Sequence, residues 1–101
     1  MTEESLTAEQ PRRYGRYTAD PDPAQLARHF YLDTFDRALV DVRRAEHNRL
    51  GFAVQLCTVR FLGTLLPAPA DVPWAVATHL AAQLAIPDPS VLKGYAGPDG
   101  P

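Results

Sequence analysis

The chain has 101 residues, 46% apolar and 22% charged, with a net charge of −2. That composition excludes wholesale disorder, and the length excludes a two-domain enzyme or an α/β barrel. No run of about 18 apolar residues occurs, so no membrane span is expected, and one cysteine, Cys57, allows no internal disulfide.

Residues 1–15 lack periodic hydrophobicity and read as a flexible N-terminal arm. Their start, MTEESLTAEQ, is polar and acidic, unlike a secretory signal, so the expected location is cytoplasmic. Asp22-Pro23-Ala24-Gln25 then supplies a cap acceptor, a proline at the first helical position and a glutamine three after the cap, a capping-box pattern. Leu26, Phe30 and Tyr31 follow at helical spacing. Asp33 or Thr34 starts a second helix, in which Phe35, Leu39 and Val42 form an apolar stripe at i, i+4, i+7. Within it Asp33 and Arg37 stand as an i,i+4 pair.

The segment Asn48–Leu66 differs from its neighbours. On a helical wheel Leu50, Val54, Cys57, Phe61 and Leu65 share one face, and Phe52, Val59, Leu62 and Leu66 share roughly the opposite one. A helix apolar on two sides is the buried central one. Gly51 and Gly63 each cost up to about 1 kcal/mol relative to alanine there, so both read as positions where a neighbour packs against bare backbone. Asp71-Val72-Pro73 opens a further helix, with Val76, Leu80 and Leu84 on one stripe. Asp88-Pro89 opens a short last one carrying Leu92 and Tyr95, ended by Gly97. No strand or hairpin signal appears in this region. The expected fold is all-α, four or five helices packed around Asn48–Leu66, with a helix-turn-helix-like arrangement open. Residues 16–96 form the domain and 97–101 a flexible tail.

Candidates for chemistry are few. His29, His47 and His79 sit in different helices, none four residues from another His or Cys, so neither a metal nor another cofactor is expected. No nucleophile elbow, phosphate loop or zinc-protease motif is present, and no catalytic residue is assigned. Asp33, Asp36 and Asp41 read as caps and a solvated face. Cys57, on the apolar side of its helix, reads as a small core residue.

The basic residues carry more information. Residues 12–60 hold nine Arg against six acids, whereas residues 1–11 hold three acids and no base. Arg12, Arg13 and Arg16 interleave with Tyr14 and Tyr17, a pattern suited to lying along phosphates; the alternative is an ordinary solvated terminus. Arg43 and Arg44 close the second helix, where cations also meet the helix dipole favourably. Arg49 and Arg60 are eleven residues apart, about three helical turns. They project from nearly the same edge of the central helix, either as a clamp on a nucleic-acid backbone or as core-edge side chains paired with acids such as Glu46.

The seventeen-residue run His47-Asn48-Arg49-Leu50-Gly51-Phe52-Ala53-Val54-Gln55-Leu56-Cys57-Thr58-Val59-Arg60-Phe61-Leu62-Gly63 closely resembles the N-terminal region of the Tn-three-family transposases, the replicative, cointegrate-forming enzymes of class II transposons. Arg16-Tyr17, His29-Phe30-Tyr31-Leu32, Asp71-Val72-Pro73, Ile86-Pro87-Asp88-Pro89-Ser90 and Tyr95-Ala96 agree in order and spacing, so the resemblance spans about residues 16–96. It implies a helical region that binds double-stranded DNA at the transposon's terminal inverted repeats and works alongside other transposase domains. On this reading the DNA-binding candidates are Arg12, Arg13, Arg16, Arg43, Arg44, Arg49 and Arg60. The family's Arg-rich continuation and its acidic, metal-dependent cleavage centre are expected to be absent, leaving a non-catalytic fragment. The rival expectations are a protein-interaction module without DNA contact and a nonfunctional transposase remnant.

Overall fold

The computed structural model describes residues 17, 19–66 and 68–95. Among them lie four α-helices, α1 (Pro23–His29), α2 (Thr34–Asp41), α3 (Glu46–Leu62) and α4 (Trp74–Gln83), and two 3-10 helices, Pro69–Asp71 and Pro89–Gly94, with no strand. The fold is all-α, as the sequence suggests. The N-terminal arm (1–15) and the tail (97–101) lie outside the described residues.

Helix starts follow local side-chain chemistry. Asp22 accepts the Gln25 N–H at 2.8 Å while Gln25 accepts the Asp22 N–H at 2.9 Å. Asp33 and Asp36 repeat the exchange at the head of α2, at 2.8 and 3.2 Å. Asp88 accepts the Ser90 N–H at 3.0 Å and opens the last element, which winds as a 3-10 helix. Each such cap contributes about 0.5–2 kcal/mol. Asp33 is engaged in its cap, and no Asp33–Arg37 ion pair forms. Asp71 does not cap α4: it belongs to the 3-10 helix before it, and α4 starts at Trp74 with Pro73 at the cap and no side-chain bond.

The two longest helices end on left-handed residues. Gly63 takes φ 87 at the end of α3, and a Cβ added there would meet nothing within 4 Å. This corrects the expectation of a packing position: Gly63 is a stop signal, needed for its backbone conformation. The α4 terminus makes the same turn without a glycine. The Ile86 N–H reaches the Ala81 carbonyl at 2.9 Å and the Ala85 N–H reaches Ala82 at 3.3 Å. This is a Schellman motif with Ala85 at φ 60.

The core is laid down around α3. Leu50, Ala53, Val54 and Cys57 are fully buried. Against them pack Val76, Ala77, Leu80 and Ala81 from α4, Phe30, Leu32 and Val40 from the N-terminal half, and Leu66, Val72, Ile86 and Leu92 from the connections. Each large side chain removed from water contributes roughly 1.5–3 kcal/mol. The expected inner face of α3 is thus correct through Cys57; Leu65 falls beyond the helix end and is exposed. The opposite face is only partly covered, with Val59 exposed and Phe52 and Leu62 half-buried.

Two features of this packing are invisible to hydrophobic periodicity. At Gly51 the Tyr95 ring occupies the place a Cβ would take, so this glycine is a packing position, as expected. In addition, two glutamines act as backbone surrogates. Gln55, buried in α3, donates to the Leu66 carbonyl and accepts the Leu66 N–H, both at 2.8 Å. Gln83 donates to the Phe30 carbonyl at 2.7 Å and accepts the Leu32 N–H at 2.8 Å. These amides satisfy buried loop backbone that no helix or strand pairs.

The α2 stripe is turned the other way from a core-packing expectation. Phe35 is 70% exposed and Val42 71%, with Leu39 partly exposed and Tyr31 at 62%. The residues α2 buries are Val40 and Asp36.

Candidate nucleic-acid interface

The central helix α3 carries a basic group near each end. Arg49 and Arg60 lie three turns apart, about 16 Å along the axis at 1.5 Å per residue. Arg60 reaches α2, and Arg49 reaches the connection that follows it. At the N-terminal end, the chain leaves α2 after Asp41 and crosses to α3 through Arg43 and Arg44, both exposed. The Arg43 guanidinium sits 4.1 Å from the centre of the Phe52 ring, a cation–π arrangement that also covers the half-buried phenyl. Arg49 reaches back to the Arg43 carbonyl at 3.5 Å, a long contact. Arg43 and Arg44 therefore lie just beyond α2 and do not belong to its last turn. Ala45, at φ 69, makes the sharp turn into α3. The result is a corner where Arg43 covers Phe52, Arg44 follows it exposed, and Arg49 touches the Arg43 carbonyl.

At the other end of α3, Arg60 meets Asp36. Its two terminal nitrogens reach the two carboxylate oxygens at 2.9 and 2.7 Å, a bidentate pair with the Asp36 side chain 2% exposed and the Arg60 side chain 41%. The Arg60 guanidinium holds the Asp36 carboxyl below its ordinary pKa, against the opposing effect of burial; Asp36 in turn raises Arg60. The partner of Arg60 is therefore Asp36, from α2, and not Glu46. Asp36 is a buried ion-pair member, not part of a solvated face. Sequence spacing could not find it, because the two residues are brought together by the α2–α3 turn.

Beside this pair lies an aromatic cluster. Tyr17 stacks on Phe61 with ring centres 5.8 Å apart and 23° between planes. Phe30 and His29 each lie 5.3 Å from the same ring. The Tyr17 hydroxyl hydrogen-bonds Thr58 Oγ1 at 2.7 Å. Burial pushes the phenol pKa up to about 12, partly opposed by Thr58. Tyr17, just inside the expected 16–96 domain, is held on the end of α3. Arg12, Arg13 and Arg16 lie outside the described residues.

Other chemistry is thin. Burial raises the Cys57 thiol to about 12, which leaves almost no thiolate near neutral pH. Among the described residues no group of three His, Cys, Asp or Glu could hold a metal. None of their helices is long and apolar enough to cross a membrane.

Comparison with known proteins places this helical unit. Residues 6–99 match the family described as Domain of unknown function (DUF4158). The chain is 48% identical, over 98% of its length, to the transposase for transposon gamma-delta of Escherichia coli (strain K12), covering 10% of that protein. It is 41% identical over 62% of its length to the transposase for transposon Tn3926 of Escherichia coli, covering 6%. Against the transposase for transposon Tn501 of Pseudomonas aeruginosa it is 36% identical over 73% of its length, covering 7%. The chain thus spans a tenth or less of these relatives. No solved structure matches it. The chain belongs to the DUF4158 family, the domain it shares with the N-terminal region of the Tn-three-family transposases.

Proposed function

We propose that this domain binds double-stranded DNA at transposon terminal inverted repeats, in the cytoplasm, as a non-catalytic part of the transposition machinery. The observation that carries the reading is its 48% identity across nearly the whole chain to a transposase. The disposition of arginines supports it. Arg43, Arg44 and Arg49 form a basic corner beside Phe52, and Arg12, Arg13 and Arg16 immediately precede the anchored Tyr17. Guanidinium groups so placed suit phosphate contacts, which position a protein on DNA without reading sequence. Arg60 stands at the other end of α3 and its charge is balanced by Asp36. Its part is to brace α2 against α3. The overall charge of −2 makes local clustering, rather than net charge, the attractive feature.

The test is fluorescence anisotropy with a terminal-repeat duplex and a scrambled one at two salt concentrations. Specific, salt-dependent binding is expected. Equal and negligible binding to both duplexes rejects the reading.

A second reading, docking against other domains of a transposase, is favoured by the exposed apolar side chains Phe35 and Leu39 of α2, with Tyr31 and Val42 flanking it. Apolar side chains contiguous on one exposed helix face mark protein contacts more often than DNA contacts. A Phe35→Ser, Val42→Ser variant that binds DNA like the parent but no longer associates with the remaining transposase polypeptide would support it.

A further inference from the structure

Phe52 stands where the core does not require an aromatic side chain. On the α3 wheel it lies away from Leu50, Val54 and Cys57, which are fully buried. Its ring is half-buried and packs against the core cluster, so it is itself anchored. The Arg43 guanidinium covers it, 4.1 Å from the ring centre. A phenyl ring carries no charge and accepts no conventional hydrogen bond. The contact therefore holds the guanidinium without occupying its N–H donors or balancing its positive charge. Among the described residues no carboxylate pairs with Arg43, Arg44 or Arg49, and no hydrogen bond engages the Arg43 guanidinium.

The arginines near α3 differ in this respect. Arg49 is half-buried and turned to the Arg43 carbonyl. Arg44 is exposed, and among the described residues no hydrogen bond, ion pair or ring contact fixes it. Arg60 is balanced by Asp36. Of these four, Arg43 alone joins exposure and an unbalanced charge to a fixed side-chain position. An arginine immobilised by its ligand gives up rotamer entropy on binding, whereas one already held in place gives up less.

We infer that Arg43 is the phosphate-contacting guanidinium of this corner and that Phe52 is its positioning residue. The ring holds the planar fork in place before DNA arrives, ready for a bidentate contact with a backbone phosphate. The inference rests on the DNA-binding reading above and names the pair of residues that acts in it.

The test is a double-mutant cycle on the full chain, read by anisotropy with the terminal-repeat and scrambled duplexes across a salt series. Arg43→Gln should weaken binding about tenfold or more and lower the salt slope by about one. Phe52→Leu, which keeps most of the apolar volume but removes the ring, should weaken binding about two- to fivefold and leave the salt slope unchanged, because no phosphate contact is lost. On the Arg43→Gln background Phe52→Leu should have no further effect. Phe52→Tyr, which retains the ring, should bind like the parent.

Arg43→Gln with the parent's affinity and salt slope overturns the assignment. So does a Phe52→Leu loss that persists on the Arg43→Gln background, the mark of a ring that only supports the fold. A further measurement needs no variant. In the free chain, relaxation of the side-chain Nε–H groups should show Arg43 more ordered than Arg44 on the picosecond to nanosecond scale, and equal mobility of the two overturns the positioning role. If the parent binds neither duplex, the DNA-binding reading falls and this inference with it. If the parent binds and the cycle shows no coupling, only the Arg43–Phe52 assignment is lost.

Discussion

Single residues in this domain hold backbone positions that their neighbours cannot. Gly51 is one: with the Tyr95 ring on the helix backbone, even a methyl group has no room. Gly51→Ala is expected to lower stability by about 1–3 kcal/mol through overpacking, despite alanine's better helix propensity; chemical denaturation measures it. Ala85 is the converse. It sits at φ 60 in the Schellman turn after α4, where an L side chain costs roughly 1–2 kcal/mol. Ala85→Gly should therefore raise stability, by up to about 1 kcal/mol once the glycine's larger unfolded-state entropy is counted, and a lower melting temperature would contradict this. Of these roles the sequence displays only part. Both Gly51 and Gly63 break a helical pattern, which makes them conspicuous. Which glycine receives a neighbour and which ends the helix depends on Tyr95, 44 positions away in the chain, and on where α3 stops. The left-handed Ala85 leaves no compositional mark at all.

Between elements, polar contacts decide what the apolar pattern leaves open. The α2 stripe illustrates it. Helical period identifies an α2 surface containing Phe35, Leu39 and Val42 but does not say which way it faces. The orientation is set by Asp36 and Val40, because Asp36 turns inward to take both terminal nitrogens of Arg60. Capping boxes were legible because they are local in sequence; the Asp36–Arg60 pair was not, because its partners lie 24 residues apart. Asp36→Asn should lower stability by about 1–3 kcal/mol near neutral pH, the half-exposed Arg60 tempering the loss. The pair also fixes a pH response. Arg60 holds the Asp36 carboxyl below its ordinary value, so the folded state takes up this proton less readily than the unfolded chain. Its contribution is complete above about pH 4 and disappears as the pH falls through the depressed folded value. The melting temperature of Asp36→Asn should accordingly fall less steeply with acid than that of the parent. Gln55 makes a similar link within the core. Gln55→Leu leaves the buried N–H and carbonyl of Leu66 without their amide partner and is expected to cost about 2–4 kcal/mol.

Across the molecule, the candidate interface was only half readable in advance. The density of arginine in residues 12–60 and the resemblance around Arg49 and Arg60 pointed to α3 as the candidate helix. They did not separate Arg60, neutralised by a buried carboxylate, from the exposed Arg43 and Arg44 and the half-buried Arg49 that reaches the Arg43 carbonyl. Nor did they show which side chains hold Tyr17 on the folded body. Charge counting treats each guanidinium alike, whereas its effect on a distant phosphate depends on the acids that already face it. The buried thiol offers a measure of the whole structure's integrity. Cys57 has no exposed surface and a raised pKa, so labelling by a thiol reagent should proceed only through opening of the core. Its rate in native buffer should fall short of that in denaturant by the unfolding equilibrium constant. Rapid native labelling would show that the α3–α4 seam opens by itself.

The Gln83 side chain, finally, sets a constraint on the order of assembly. Its amide joins Phe30 and Leu32 across 53 and 51 positions of chain. During synthesis from the N-terminus, α1, α2 and α3 are all made before the glutamine that secures the link between the first two. Until residue 83 is available, the backbone at Phe30 and Leu32 lacks its partner, and this seam remains loose. Closing such a long loop is a late event, and it slows folding relative to a bundle held by neighbouring contacts alone. Gln83→Ala should accordingly speed unfolding far more than it slows refolding, an asymmetry that stopped-flow kinetics on the two variants can read directly.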